Sequence, residues 1–170
     1  MASQSDDFRT VFRHHPAGVV LITATVDGEP VGLIVSSLAS LAVDPLGVSF
    51  SLAKHTGRPG KLLRADSYLI HFLSEDLMDT AREFAATDGR HFTPEQGWTT
   101  AETGEPLLPS APAVFRARTA GTVALGDATL IAAEVLSVTA SPEMLAGTLP
   151  RVFYVNHTFR VRPAEDPAGN

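Results

Sequence analysis

Two short polar segments carry the side chains best suited to binding chemistry. The first is a serine cluster, Ser36, Ser37 and Ser40, at the end of an apolar β-branched run. The second follows another apolar run and combines cations with hydroxyl and imidazole groups: Lys54, His55, Thr56 and Arg58. If the two runs form neighbouring strands, donors and cations converge on one pocket, which suits a phosphate because charged donors bind it strongly. The alternative, favoured by residue types alone, is a serine-rich turn beside a solvated basic loop.

General catalytic motifs are missing from the sequence. Residues 57–62 resemble a phosphate-binding loop, but the glycines lack its spacing and Leu62 stands where a magnesium-binding Ser or Thr is needed. No dinucleotide glycine motif and no G-x-S-x-G turn occurs. The chain has no cysteine, which excludes thiolate nucleophiles, disulfides and cysteine zinc sites. Its six histidines show no tight ligand spacing, so we expect no metal site.

Charge and hydropathy narrow the class of protein further. The 170 residues include 13 Lys and Arg against 19 Asp and Glu, a net charge of −6 without a dense basic patch, so no nucleic-acid partner is expected. No apolar run approaches the ~20 residues of a membrane span and no signal sequence is visible, so we expect a cytoplasmic protein with no membrane partner. Only 19% of residues are charged, which leaves apolar surface to hide in an oligomer.

Short apolar and β-branched runs separated by turn residues predict a mainly β fold with a few helices. The expected strands are residues 19–26, 30–36, 48–52, 68–73, 113–123, 129–140, 152–155 and 159–161. The expected helices are residues 6–12 with Ser5 as cap, residues 61–65, and residues 77–86 after a Ser74 cap. Many short strands of this kind favour a β-barrel with added helices.

The chain is short enough for one domain, which we place at residues 8–162 with disordered tails at 1–7 and 163–170. Two pairs of turn residues, Asp27-Gly28 and Asn156-His157, predict hairpins. Residues 87–112 form a long Gly-, Pro- and Thr-rich stretch. Loops of that length in compact domains are usually functional, so it is expected to cover a site.

Several motifs between residues 8 and 159 carry a family resemblance by their order. They are Phe12-Arg13, Pro16-Ala17-Gly18-Val19-Val20, Asp27-Gly28 with Gly32, Val35-Ser36-Ser37-Leu38-Ala39-Ser40, Asp44-Pro45, Val48-Ser49-Phe50-Ser51-Leu52-Ala53-Lys54, Ala81-Arg82-Glu83-Phe84-Ala85, His91-Phe92, Gly104 with Pro106-Leu107, and Gly126-Asp127. No single motif is specific. Together the sequence resembles the flavin reductase-like family with an FMN-binding split β-barrel, whose best-known members are reductase components of two-component flavin-dependent monooxygenases.

The resemblance implies a homodimeric split barrel that reduces FMN or FAD with NADH or NADPH and supplies an oxygenase partner. It implies a set of flavin-binding residues: Val35, Ser36, Ser37, Ser51, Ala53, Lys54, Thr56 and Arg58. The first three approach the isoalloxazine edge, and the others surround the ribityl chain and phosphate. No side chain needs to act as a catalytic acid or nucleophile, because hydride passes directly between the two cofactors.

Some positions depart from the family pattern and leave alternatives open. Ile34 replaces a common Thr, and Ala128 replaces a His that is linked to nicotinamide binding. Tyr154 and His157 lie in a segment that can border the nicotinamide, so His157 either takes over that contact or lies on the surface. The chain is therefore expected to be a flavin reductase, with two alternatives: a flavin-binding protein without reductase activity, or the same fold with haem or deazaflavin.

Overall fold

The structure is a computed structural model that describes residues 3–164. Its helices are α1 (Gln4–His14), α2 (Gly57–Leu62), α3 (Met78–Ala85) and α4 (Pro142–Ala146). Its strands are β1 (Ala17–Gly18), β2 (Val20–Val26), β3 (Glu29–Val35), β4 (Ala39–Val43), β5 (Leu46–Leu52), β6 (Tyr68–Phe72), β7 (Thr99–Thr100), β8 (Pro106–Leu107), β9 (Ala113–Leu125), β10 (Ala128–Ala140), β11 (Arg151–Val155) and β12 (Thr158–Arg162). Short 3₁₀ turns cover Glu75–Leu77 and Pro94–Gln96.

A seven-stranded antiparallel sheet dominates the molecule, which confirms the mainly β prediction. Its strand order is β3-β2-β6-β9-β10-β5-β4, and a smaller sheet has the order β1-β11-β12. Strand β3 lies at one end of this order, yet Ser37, just after β3, is hydrogen-bonded to Ser51 on β5 near the other end. The large sheet therefore curls towards itself as an open barrel.

Strand β2 is buried on both faces because an apolar cluster covers each of them. Side chains alternate along a strand, so Ile22 faces the barrel interior with Phe50 and Tyr68. Leu21 points outwards and packs with Phe84 of α3 in a second apolar cluster. Burial of each such side chain contributes roughly 1.5–3 kcal/mol, so the two clusters fix β2 between barrel and helix.

His71 is a buried polar group that joins β6 to its surroundings. Its Nδ1 donates to the carbonyl oxygen of Leu21 at 3.1 Å, and its Nε2 accepts from the N–H of Leu108 at 3.1 Å. The Trp98 indole meets the imidazole edge-on at 5.9 Å. Burial lowers the pKa of His71 to about 4, although the bond to Leu21 acts in the opposite direction. The imidazole is therefore neutral at pH 7.

Helix α1 corrects two expectations about the start of the chain. Its cap is Ser3, not Ser5: the Ser3 hydroxyl accepts from the Asp6 N–H and the Asp6 carboxylate accepts from the Ser3 N–H. This reciprocal pair of bonds is a capping box, which needs a hydrogen-bond acceptor side chain three residues after the cap. Three residues after Ser5 stands Phe8, whose side chain cannot accept a hydrogen bond. Residues 4–7 are thus part of α1, where a disordered tail was expected. Residues 1–2 and 165–170 lie outside the described part.

Other element boundaries differ for local reasons. Helix α2 begins at Gly57, earlier than expected, because Pro59 lies in its first turn where the missing N–H is tolerated. The expected Ser74 cap makes no side-chain bond, and a 3₁₀ turn precedes α3. Strand β4 was not expected because all its residues are exposed and show no alternation. Helix α4 was not expected either, being only five residues long.

The hairpin turns are where the sequence predicts them. Asp27 and Gly28 have φ of 54° and 79°, and Asn156 and His157 have φ of 50° and 57°. These left-handed pairs suit two-residue turns between twisted strands. The expected long loop at residues 87–112 contains the small β7–β8 hairpin and a 3₁₀ turn. No helix among residues 3–164 is long and apolar enough to cross a membrane.

The neutral state of His71 predicts a pH dependence of stability. Below pH ~6.5 the imidazole of the unfolded chain takes up a proton, whereas the folded chain does so only near pH 4. The free energy of unfolding should therefore fall as the pH drops through this window, by up to about 1.4 kcal/mol per pH unit. In His71→Asn this part of the slope should disappear. Urea unfolding of both proteins at several pH values measures it.

The exposed His14 on α1 offers a matched control for the titration of His71. His14→Asn should keep the slope of the unmodified chain, because it leaves His71 and its hydrogen bonds to Leu21 and Leu108 in place. Parallel slopes for the unmodified chain and His71→Asn would contradict this role of His71.

Candidate functional site

A groove of about 660 Å³ lies between the end of β3 and the segment that joins β5 to α2. Its lining includes every residue of the expected flavin-binding set: Val35, Ser36, Ser37, Ser51, Ala53, Lys54, Thr56 and Arg58. Leu33, Ile34, Leu52, Gly57, Pro59 and Thr87 complete it. The fold therefore brings the serine cluster after β3 and the Lys/Thr segment after β5 into one groove.

The Ser37 hydroxyl holds the two walls of the groove together. It accepts a hydrogen bond from the Ser51 N–H at 2.9 Å and donates to the Ser51 carbonyl oxygen at 3.3 Å. Ser36 is exposed, and among the described residues its hydroxyl has no hydrogen-bond partner. Val35 is buried in the barrel core, so it can offer only backbone groups to the groove. Of the two serines that follow β3, Ser36 is thus the one whose hydroxyl is left for a ligand.

The loop that carries Lys54 and Thr56 is packed closely against α2. A Cβ atom at Gly60 would lie 2.1 Å from the His55 carbonyl oxygen, so only glycine permits this approach. The His55 Nε2 lies 2.8 Å from the Thr129 hydroxyl oxygen on β10 and anchors the loop to the sheet. The Thr56 hydroxyl caps no N–H of α2, so it is available at the groove.

Arg58 lines the groove, but its guanidinium is directed at protein acceptors. Its Nη1 donates to the Phe84 carbonyl oxygen at 2.9 Å and lies 3.2 Å from the His91 Nε2. Longer bonds at 3.4 Å reach the carbonyl oxygens of Gly32 and Ala86. Arg58 therefore ties α2 to β3 and to the end of α3, whose last carbonyls need donors.

Lys54 differs from Arg58 in being exposed and in having no side-chain hydrogen bond within residues 3–164, whereas Arg58 bonds to carbonyl groups; neither makes an ion pair there. Its ammonium group is the free cation of the groove. The sequence suggested both cations for one phosphate, but the guanidinium of Arg58 is taken up by protein acceptors, whereas the ammonium of Lys54 is not. The partners of Arg58 come from distant segments, so no local sequence pattern predicts them.

A second cavity, of about 850 Å³, adjoins the groove and shares Ser36, Ser37 and Ser51 with it. Tyr154 and His157, the residues expected at the nicotinamide, both line this cavity. Its remaining lining residues are Phe8, Arg9, Phe12, Arg13, His15, Ala17, Ala128, Val155 and Asn156. Ligands in the two spaces would therefore meet at the three serines.

Helix α1 forms one wall of the second cavity and was missed as part of the site. None of its residues is buried, and the rings of Phe8 and Phe12 lie 4.7 Å apart on its surface. The Asn156 N–H donates to the Arg13 carbonyl oxygen at 2.7 Å. Ala17 of β1 pairs with Tyr154 of β11. These bonds hold the end of α1 against the β11–β12 hairpin.

Neither cavity is organised around a metal ion. Within residues 3–164 no group of three or more His, Asp or Glu side chains is placed to bind one. The carboxylate of Glu105 is held in a hydrogen-bond network that serves the fold. Burial alone would raise the pKa of Glu105, but hydrogen bonds from Ser67, Thr103 and Arg116 outweigh it and hold the pKa below its usual value. None of these residues lines either cavity.

Comparison with known proteins agrees with this geometry. Residues 12–161 match the model of the flavin reductase like domain. An NADH:FMN oxidoreductase from Rhodococcus qingshengii is 31% identical over 157 residues, which is 92% of this chain and 82% of that protein. HsaB, the reductase subunit of a flavin-dependent monooxygenase from Rhodococcus jostii, is 32% identical over 59% of this chain and 51% of that protein.

The fold also has solved counterparts. A flavin reductase domain protein from Arthrobacter sp. FB24 superimposes with a TM-score of 0.83 at 22% identity, covering 96% of this chain and 99% of that one. The match of the family model to most of the sequence shows that the chain belongs to the flavin reductase-like family.

The Ser37 bridge predicts different outcomes for two neighbouring serines. Ser37→Ala removes the acceptor of the Ser51 N–H and should lower the free energy of unfolding by about 1 kcal/mol, the usual value for one hydrogen bond. Ser36→Ala removes no bond and should change it by less than about 0.5 kcal/mol. Chemical denaturation compares the two variants, and equal destabilisation would show that the bridge is not what holds the walls together.

Proposed function

We propose that this protein is a flavin reductase that uses NADH or NADPH to reduce FMN or FAD. The observation that carries the proposal is the junction of the two cavities at Ser36, Ser37 and Ser51. A reductase must hold a flavin and a nicotinamide in contact, and two adjoining spaces with a shared wall meet that requirement. The match with an NADH:FMN oxidoreductase over most of both chains supports it.

The groove residues fit a flavin by their chemistry. The ring edge of a flavin carries carbonyl and imide groups that need donors, and Ser36 together with the β3 backbone supplies donors at one wall. A phosphate favours charge-assisted donors, and Lys54 with Thr56 offers a free ammonium and a free hydroxyl. When bound, the flavin supplies the redox chemistry by accepting a hydride from the nicotinamide.

The contribution of the chain is binding and orientation. Ser37 is used by the fold and keeps the groove walls at a fixed spacing, while Ser36 faces the shared junction. Tyr154 and His157 border the second cavity, where they contact the nicotinamide dinucleotide. No side chain of the site acts as nucleophile or acid, in keeping with direct transfer between cofactors.

A flavin-binding protein without reductase activity is the second candidate function. Ala128 lines the second cavity with a methyl group, where the family pattern that the sequence resembles would place a His. Ile34 brings an apolar side chain to the groove in place of a hydroxyl. His157 lies in the same cavity as Ala128 and offers an imidazole there, which favours the reductase.

Turnover measurements separate the candidates. The purified protein is mixed with FMN or FAD, and oxidation of NADH or NADPH is followed at its near-ultraviolet band. The reductase proposal predicts flavin-dependent loss of that band. Saturable flavin binding without turnover in any combination would select the binding-only alternative. An absorbance spectrum typical of haem or deazaflavin in the purified protein would overturn both.

Lys54 is predicted to bind the flavin phosphate. Lys54→Glu replaces attraction by repulsion and should weaken FMN binding about tenfold or more, equivalent to at least about 1.4 kcal/mol. Lys61→Glu makes the same charge change on α2, outside the groove lining, and serves as the control. Flavin fluorescence titrations measure both. Equal affinities for the two variants would place the phosphate elsewhere.

We also propose that the protein forms a homodimer and serves an oxygenase component in the cytoplasm, where reduced nicotinamide is regenerated. The oxygenase is suggested by relatives such as HsaB. The dimer is suggested by the outer half of the β9–β10 hairpin, where Val123, Leu125 and Leu130 are exposed by 64%, 85% and 47%. Three neighbouring apolar side chains of this kind favour a protein partner.

The β9–β10 hairpin gives a direct test of the dimer. Leu125→Glu combined with Val123→Glu should shift the molecular mass in solution from two chains to one, as read by light scattering on a sizing column. Leu145→Glu on α4, which is 78% exposed, should leave the mass unchanged. A protein that is monomeric before any substitution, or a dimer that survives both charges, would refute this arrangement.

A further inference from the structure

We propose that α1 is part of the dinucleotide site, and that the Arg13 guanidinium binds a phosphate group of the nicotinamide dinucleotide. This inference rests on the proposed function and adds a specificity-determining residue to it. The family resemblance includes Phe12-Arg13 at the end of α1 but assigns no role to Arg13 or to the rest of that helix. The inference therefore depends on the second cavity alone.

Charge around the second cavity points to an anionic ligand. The chain carries a net charge of −6, yet no Asp or Glu lines this cavity, while Arg9, Arg13, His15 and His157 do. The two arginines, with no carboxylate in the lining to offset them, attract an anion. The phosphates of a dinucleotide meet that requirement, and charge-assisted bonds to Arg are among the strongest they form.

Arg13 is the cation best placed to bind such an anion. Arg9 already lies 3.5 Å from Asp6 in an exposed ion pair. Arg13 is exposed and has no ion-pair partner within residues 3–164. Its backbone carbonyl accepts the 2.7 Å bond from Asn156, which fixes where its side chain starts. Arg13 is therefore held beside the β11–β12 turn with its guanidinium free.

The aromatic residues of the second cavity suit the heterocyclic rings of a dinucleotide. Phe8 and Phe12 are 64% and 59% exposed on α1, and Tyr154 lies on the neighbouring β11. Aromatic faces stack on heterocyclic rings with about 1–3 kcal/mol each. A volume of about 850 Å³ lies at the upper end of small-molecule sites. Space, charge and aromatic surface together fit a dinucleotide better than an inorganic anion.

The second cavity also constrains where the ligand ends. Because it shares Ser36, Ser37 and Ser51 with the flavin groove, the nicotinamide lies at that junction and the phosphates extend towards α1. Two phosphate groups fit this description: the pyrophosphate, which NADH and NADPH share, and the 2′-phosphate of NADPH. The experiment below distinguishes them.

The test compares Arg13→Gln with Arg160→Gln in the full chain loaded with FMN. Arg160 is an exposed arginine on β12 that does not line the cavity, so it controls for net charge. Isothermal titration with NAD⁺ and NADP⁺ measures binding without turnover. Arg13→Gln should weaken binding about tenfold, and Arg13→Lys should restore part of it. Loss for both dinucleotides assigns the pyrophosphate, and loss for NADP⁺ alone assigns the 2′-phosphate.

The inference is overturned if Arg13→Gln binds both dinucleotides as tightly as Arg160→Gln does. It is also overturned if Arg13→Gln weakens FMN or FAD binding instead, since the cation would then serve the flavin. Its failure is separate from that of the proposed function. Unchanged dinucleotide affinity together with normal turnover would refute Arg13 alone, whereas an Arg13-dependent affinity without turnover would support Arg13 and refute the reductase.

Discussion

The hydrogen bonds between Ser37 and Ser51 are the interaction on which the site depends. Strand β3 is the terminal strand of the sheet order and β5 is the second strand from the other end, so nothing in the ladder itself joins them. The Ser37 hydroxyl joins them by bonding to both backbone groups of Ser51. Ser37 and Ser51 also line both the groove and the second cavity. One contact therefore both brings the two parts of the sheet together and forms part of the wall that the two cavities share.

The two cavities differ in how firmly they are built. The groove has one wall on β3 and β5 and another on a loop fixed by Arg58, by Gly60 and by the His55–Thr129 contact. The second cavity is bounded by α1, which buries no residue of its own, and by the β11–β12 hairpin. A rigid groove suits a ligand that is held in one orientation. A lightly attached wall suits a dinucleotide that must enter and leave in every cycle.

Much of the fold and half of the site could be predicted from the sequence. The β-branched run of β2, the apolar and aromatic run of β6 and the Asp27-Gly28 turn have local signals, and the structure confirms them. The expected flavin-binding residues line one groove because their motifs sit at strand ends, where the fold leaves backbone groups open. Their individual contacts to a flavin remain a prediction, since geometry alone shows only that they share a space.

What the sequence did not reveal depends on partners far along the chain. Arg58 looks like a phosphate cation until its acceptors on Phe84 and His91 are known. Helix α1 has an ordinary amphipathic pattern. Its place beside the site depends on the bond between Arg13 and Asn156 and on the pairing of β1 with β11. The buried role of His71 likewise requires Leu21 and Leu108. Hydrogen bonds between distant segments leave no periodic trace, so local patterns cannot predict them.

The most direct test of the account is a crystal structure of the protein with FMN. It should show the phosphate within about 4 Å of the Lys54 ammonium, the distance of an ion pair. It should also show the isoalloxazine ring against Ser36, with its free face open to the second cavity beside Tyr154. A flavin bound elsewhere, or one whose ring is sealed from the second cavity, would contradict the account.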